Sequence, residues 1–319
     1  MKFKFTCIFF PILFFCFDLK SQNGKIIEQN LFTVPDSIVA RLRTIDTSAG
    51  QIVKAVNFYH ISYLSDGLKV RGYLAIPNSV GKYPCVIFNR GGSLEFSAIT
   101  EETFFRIVGK LAANGYVVVA SQYRGNSGGE GKEEYGGKDV NDVLNLIPLL
   151  SNLSHADTSR IGMFGWSRGG METYLALTKT TRIKAAVVGS GMADLITTLE
   201  ARPELDSVWA KMIPGYAEQK TKIVALKERS ATYFVDKICK TTPILILQGE
   251  ADWRVPANQV LDLVNKLYQV KQPFRFIFYE GGQHSLIEHR TDYYSQLIKW
   301  FNYYLRDEKP WPNLNPHGD

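Results

Sequence analysis

The chain has 319 residues, 45% of them hydrophobic and 21% charged, with a formal net charge of +6. Those proportions belong to an ordinary packed globular protein, of a length that α/β folds often reach as one domain. The charge is mild, and no run of Lys or Arg is interleaved with aromatics, which excludes the usual kind of nucleic-acid surface.

Residues 1–21 read as a signal peptide. Lys2 and Lys4 form a basic start, and Phe5 to Phe17 is an apolar stretch too short for the ~20 residues a membrane span needs. Cleavage is expected after Ser21, so the mature chain is expected to be exported, periplasmic or secreted, with no stable membrane span. A lipoprotein site at Cys16 is poor because bulky Phe15 precedes it. Loss of the leader leaves 34 basic and 30 acidic residues, a charge of +4. Cys7 and Cys16 leave with it. Cys85 and Cys239 remain, as two buried thiols or one disulfide.

Residues 22–80 are expected to supply N-terminal strands. Ile52 to Leu64 and Val70 to Pro77 flank Ser65-Asp66-Gly67, a hairpin-type turn. Pro84 to Asn89 is a short apolar run ending in Arg90-Gly91-Gly92-Ser93. Thr100 to Asn114 has a helical period and meets Gly115, a C-terminal stop. Tyr116 to Ser121 is nearly all apolar, as a strand covered on both faces should be. A helix over Asp139 to Leu150, a strand over Arg160 to Trp166 and a strand over Lys184 to Gly189 follow. Residues 192–240 break the alternation and predict helices inserted over the site. A strand over Pro243 to Gln248, a helix over Pro256 to Tyr268, a strand over Phe274 to Tyr279 and a helix over Thr291 to Leu305 complete the pattern, and residues 309–319 form a tail. Strands alternating with helices predict a mostly parallel central sheet with helices on both faces, over residues 81–308.

Sites in such sheets form at the carboxyl ends of strands. The predicted strands end in Arg90-Gly91-Gly92, Tyr123-Arg124-Gly125, Ser167, Asp252 and His284. Arg160 to Gly170 reads R-I-G-M-F-G-W-S-R-G-G, which is G-x-S-x-G directly after a strand and before a helix over Met171 to Thr181. A serine on so sharp a turn needs neighbours without side chains, supplied by Gly165 and Gly169. A serine hydroxyl is a poor nucleophile until a positioned base, oriented by a carboxylate, takes its proton. Asp252, 85 residues after Ser167, and His284, 32 further on, fall in loops after apolar strands, in the chain order Ser, Asp, His. Asp194 as the acid and His289 as the base are the alternatives. His60, His155 and His317 read as surface residues. The oxyanion donors are expected to be the backbone N–H of Arg168 and the loop Arg90 to Ser93, including Gly91. No C-x-x-C or H-E-x-x-H spacing supports a metal site.

G-W-S-R-G-G, Y-R-G-N-S-G-G-E-G at Tyr123 to Gly131, Y-G-G-K-D-V-N-D-V at Tyr135 to Val143, Q-G-E-A-D-W-R-V-P and G-G-Q-H stand in this order. As a set they resemble the catalytic domain of the prolyl oligopeptidase family, over about residues 80 to 305. The resemblance implies a serine hydrolase of the α/β-hydrolase fold, with Ser167, Asp252 and His284 as its triad and no cofactor. Family members usually carry a β-propeller before this domain, whereas roughly 60 mature residues precede it here. The family's peptidases often place an oxyanion-stabilising tyrosine where Arg90 stands, so Arg90 is expected either to help the oxyanion or to bind an acidic group of the substrate. Trp166, Tyr123 and Trp253 are further substrate-binding candidates. The reading is a serine hydrolase cleaving a peptide or small-molecule substrate through an acyl-serine. The alternatives are a carboxylesterase for small or carbohydrate-linked esters and a non-catalytic binding protein on the same fold.

Overall fold

The computed structural model describes residues 22–44 and 47–318, so the expected signal peptide lies outside the described residues. Among the described residues nine strands form one sheet: β1 (Ile26–Phe32), β2 (Val56–Ser65), β3 (Leu68–Pro77), β4 (Tyr83–Asn89), β5 (Val117–Ser121), β6 (Ala156–Trp166), β7 (Ile183–Gly189), β8 (Ile244–Gly249) and β9 (Phe274–Tyr279). Their order is β1-β2-β3-β5-β4-β6-β7-β8-β9; β1 to β3 join antiparallel, β3 joins β5 antiparallel, and β5 onward is parallel. The helices are α1 (Asp36–Arg43), α2 (Ala49–Ala55), α3 (Glu101–Ala113), α4 (Asp139–Leu144), α5 (Leu146–Ser151), α6 (Arg168–Leu177), α7 (Leu195–Ala201), α8 (Leu205–Met212), α9 (Gln219–Lys227), α10 (Ala257–Gln269) and α11 (Arg290–Phe301).

The central strands are apolar throughout because both of their faces are covered. Along β4, Cys85 and Ile87 pack with α4, α5, α6 and α10. Val86 and Phe88 pack with α2, α3 and α11 on the other face. β5 divides in the same way, with Val117 and Val119 to one side and Val118 and Ala120 to the other. This is the two-residue side-chain period of a strand, filled twice. The fold is that of an α/β-hydrolase, with α7, α8 and α9 between β7 and β8 as the helical insertion.

Several elements differ from the sequence reading. The stretch from Ile52 begins as the end of α2, and the strand starts only at Val56. β1, α1 and α2 carry no clear period: β1 is an edge strand mostly exposed along its length, so nothing forces apolar alternation on it. The helix expected over Asp139 to Leu150 is two short helices meeting at Asn145. Pro148 lies in the first turn of the second, where its missing N–H costs no helical bond. Asp66 (φ 52°) and Gly67 (φ 81°) make the hairpin turn between β2 and β3, as expected. Cys85 and Cys239 are both free, the first buried and the second half-buried.

Candidate active site

β6 delivers the site. It ends at Trp166, the chain turns at Ser167, and α6 begins at Arg168. Ser167 has φ 58° and ψ −123°, a conformation that costs on the order of 1–3 kcal/mol for a residue with a side chain. It persists because the surroundings fix it: Ser167 N–H donates to Gly189 O at 2.9 Å, and Ser167 O accepts from Gly170 N at 2.9 Å and Met192 N at 3.2 Å. Gly169 is needed for a different reason. A Cβ there would lie 2.0 Å from Asn89 O, so only glycine lets the start of α6 sit against the end of β4.

The same close approach brings the next loop to the serine. A Cβ on Gly91 would lie 3.2 Å from Ser167 Cβ and 3.1 Å from Trp166 O. The main chain of Gly91 therefore passes directly beside the serine. Arg168 occupies the first helical position, where the backbone N–H has no partner within the helix.

Asp252 and His284 are brought together as expected from their places after β8 and β9. Asp252 Oδ2 lies 2.8 Å from His284 Nδ1, and Oδ1 lies at 3.0 Å. Asp252 is buried, its Oδ1 accepting from the backbone N–H groups of Arg254 (2.9 Å) and Val255 (3.0 Å), and its Oδ2 from Gln248 Nε2 (3.3 Å). The carboxylate is thus held from three sides before it meets the imidazole. Trp166 Nε1 donates to His284 O at 3.0 Å and fixes the histidine's backbone to the serine turn. The alternatives are placed elsewhere. Asp194 caps α7, accepting from Ile196 N and Thr197 N, and His289 Nε2 meets Glu280 O at 3.0 Å.

Ser167 and His284 open onto one cavity of about 770 Å³. Its apolar lining includes Phe96, Ile107, Trp166, Leu205 and Val208, drawn from the β4 loop, α3, the serine turn and the insertion. Arg90, Arg106, Arg168, Arg202 and Arg254 also line it, and among the described residues no lining side chain is Asp or Glu. A second cleft of about 850 Å³ touches none of the candidate residues, so the chemistry singles out the first. Among the described residues no group of three or more His, Cys, Asp or Glu could hold a metal ion, and no helix is long and apolar enough to cross a membrane.

A profile of the Prolyl oligopeptidase family matches residues 103–308. The chain belongs to this family. The peptidase YtmA of Bacillus subtilis (strain 168), itself uncharacterised, is 33% identical over 72% of this chain and 86% of its own length. Dipeptidyl-peptidase 5 of Porphyromonas gingivalis is 26% identical over 74% of this chain, which spans only 36% of that longer relative. Among solved structures, Pyrococcus horikoshii acylaminoacyl peptidase superposes with a TM-score of 0.68 at 22% identity, covering 83% of this chain and 44% of that one. The protein is a prolyl oligopeptidase-family enzyme, a serine hydrolase on the α/β-hydrolase fold.

Against that family, three expected substrate contacts need correction. The Arg90 side chain, expected to help the oxyanion or to bind an acidic group, is buried, and its guanidinium is taken up by carbonyls of Gln122, Leu94, Phe96 and Gly91. It ties its own loop together, leaving the Gly91 backbone as the part of that loop beside Ser167. Tyr123 is fully buried, with φ 64°, its hydroxyl donating to Arg90 O at 2.9 Å. Its ring lies between the guanidinium groups of Arg90 and Arg168, so it supports the loop and does not reach substrate. Trp253 is 63% exposed and carries Arg202 and Arg254 against its ring; those arginines line the cavity and the indole does not. Trp166 does line the cavity.

Sequence reasoning missed the set beneath the serine. Arg168 Nη1 lies 2.5 Å from Glu133 Oε1, and Nη2 lies 2.5 Å from Asp139 Oδ2 and 3.0 Å from Glu172 Oε1, all four side chains being buried. Glu172 alone could have been suspected, as the i+4 neighbour of Arg168 on a helix. Burial and the neighbouring Asp139 push the Glu172 carboxyl well above its ordinary range. Burial acts the same way on Asp139, but the Arg168 guanidinium and the Gly136 N–H outweigh it and hold that carboxylate low.

Proposed function

We propose that this enzyme cleaves peptide or ester bonds through an acyl-serine, with Ser167 as nucleophile, His284 as general base and Asp252 as the residue that orients it. The observation that carries the reading is the buried Asp252 carboxylate at 2.8 Å from His284 Nδ1, with His284 and a strained Ser167 facing one cavity. With Nδ1–H held by Asp252, Nε2 is free to accept a proton.

Ser167 Oγ bonds to the substrate carbonyl carbon as His284 Nε2 takes its proton. The carbonyl oxygen becomes an oxyanion beside the Arg168 and Gly91 N–H groups. Collapse breaks the bond to the leaving amine or alcohol, which receives the proton from His284. Water then repeats the sequence on the acyl-serine, releasing the acid and restoring the serine.

Relatives bear the names acylaminoacyl peptidase and dipeptidyl-peptidase, and short peptides attacked near their amino terminus are the proposed substrates. Arg106, Arg202 and Arg254 line the cavity and, among the described residues, no carboxylate does, so a free α-ammonium meets no counter-ion there and N-blocked peptides are the better fit of the two. Export by way of residues 1–21 is part of the proposal. The test is a fluorophosphonate probe followed by matched acetylated peptides, free peptides and aryl esters. Absence of labelling at Ser167 in the folded protein overturns the mechanism. Faster cleavage of free than of acetylated peptides overturns the preference for blocked ends.

A further inference from the structure

We propose that Arg168 and Glu133 are positioning residues that hold the oxyanion loop, Arg90 to Leu94, against the nucleophile turn. The inference rests on the serine mechanism above and adds to it the device that aligns its two N–H donors.

Those donors belong to separate pieces of chain. Arg168 N is covalently fixed to Ser167, while Gly91 N sits on a loop that runs into unfavourable backbone at Leu94 (φ 51°) and Ser97 (φ 60°). An oxyanion hole requires both donors within about 0.5 Å of their productive places. Something outside the loop has to fix it.

The Arg168 side chain does so from below. Nη1 donates to Gly92 O at 3.0 Å, the carbonyl one residue past Gly91, and to Glu133 Oε1 at 2.5 Å. Glu133 Oε2 accepts from Leu94 N at 3.2 Å and from Asn126 Nδ2 at 2.6 Å, and lies 3.7 Å from Arg90 Nη2. The loop is therefore held at Arg90, Gly92 and Leu94 by one buried Arg–carboxylate pair whose arginine is the residue after the serine. One planar fork serves Gly92, Glu133, Asp139 and Glu172 together. A lysine ammonium, a single point charge, cannot reproduce that geometry.

The role is distinguishable from plain structural support because it acts on the oxyanion alone. A peptide aldehyde forms a hemiacetal with Ser167 whose oxygen occupies the hole; the matching peptide alcohol binds without one. Inhibition constants for this pair, with kcat and KM on an amide, are measured for the wild type, Glu133→Gln and Arg168→Lys. We expect the aldehyde to bind about 10²-fold more weakly in each variant, with kcat falling by a similar factor, the loss typical of one missing donor. The alcohol and KM should stay within about 3-fold, since uniform binding is untouched. Glu133→Gln keeps the side-chain shape and carries the test if Arg168→Lys fails to fold. Equal weakening of aldehyde and alcohol, or no change in either, overturns the inference. A wild type that no fluorophosphonate labels overturns the serine mechanism itself, so the two failures are told apart.

Discussion

The two residues that flank Ser167 hold the site by opposite means. On one side Trp166 reaches the base loop with a single neutral hydrogen bond to His284 O, its ring packed against Tyr293 at 5.2 Å and partly open to the cavity. On the other, Arg168 is 1% exposed and reaches the oxyanion loop through a buried set of charges. A neutral bond at a wet rim contributes about 0.5–1.5 kcal/mol and fails gradually. A buried charge set is stable only while complete, because each member's loss strands another without solvent. The stiffer support lies where donors must meet a charge that exists only transiently.

The largest effect should ignore this asymmetry. Ser167→Ala and His284→Ala are each expected to remove nearly all turnover, and the double variant to be little worse, since such groups act as a unit; subtilisin, the known scale, loses ~10⁶. Rate measurements on the purified variants check it. A His289→Ala variant that is inactive beside an active His284→Ala would move the base from His284 to His289.

Next comes the charged flank. Arg168→Met leaves Asp139 buried without its cation and Glu133 with only the more distant Arg90, and should cost about 3–5 kcal/mol in urea unfolding. The neutral flank is milder. Trp166→Phe removes one bond to His284 O and should cost about 1 kcal/mol, with a rate loss of no more than about tenfold. If Trp166→Phe proves as damaging as Arg168→Met, the contrast between the flanks is broken.

The same contrast explains what the sequence disclosed. Ser167, Asp252 and His284 each follow an apolar strand in a loop containing glycine, so local pattern and the parallel sheet together place them at one edge. Glu133 and Asp139 stand 35 and 29 residues from Arg168. Their meeting depends on the loop after β5 folding back beneath α6, which no local period encodes. The Arg90 expectation failed for a related reason. An arginine after a strand at the site looks like a ligand for substrate, but a loop with three left-handed residues exposes its own carbonyls, and Arg90 satisfies them first. β1 and α2 were illegible because an exposed edge strand and a seven-residue helix containing Gly50 need little apolar patterning.

The smallest expected effect is the most specific test of the charged flank. Glu172 contacts Arg168 at 3.0 Å, yet burial and Asp139 hold its carboxyl well above the ordinary range, which favours its protonated form. With Glu172 protonated the set balances, Arg90 and Arg168 against Glu133 and Asp139. An unfolded glutamate loses its proton near pH ~4.3, whereas folded Glu172 keeps it well beyond. Over that window the folded state binds more protons than the unfolded one, so the contribution of Glu172 to stability is complete below about pH 4 and declines as pH rises. Glutamine resembles the protonated acid and does not titrate. Glu172→Gln should therefore match the wild type within about 1 kcal/mol at pH 4 and gain on it towards pH 8, by about 1.4 kcal/mol for each unit the folded carboxyl is raised within that range. Urea unfolding of both proteins at the two pH values measures the difference. A variant that instead loses several kcal/mol as pH rises would mean Glu172 is ionised and bonds to Arg168 as a third anion, leaving three carboxylates against the two guanidinium groups of Arg90 and Arg168 rather than a balanced set.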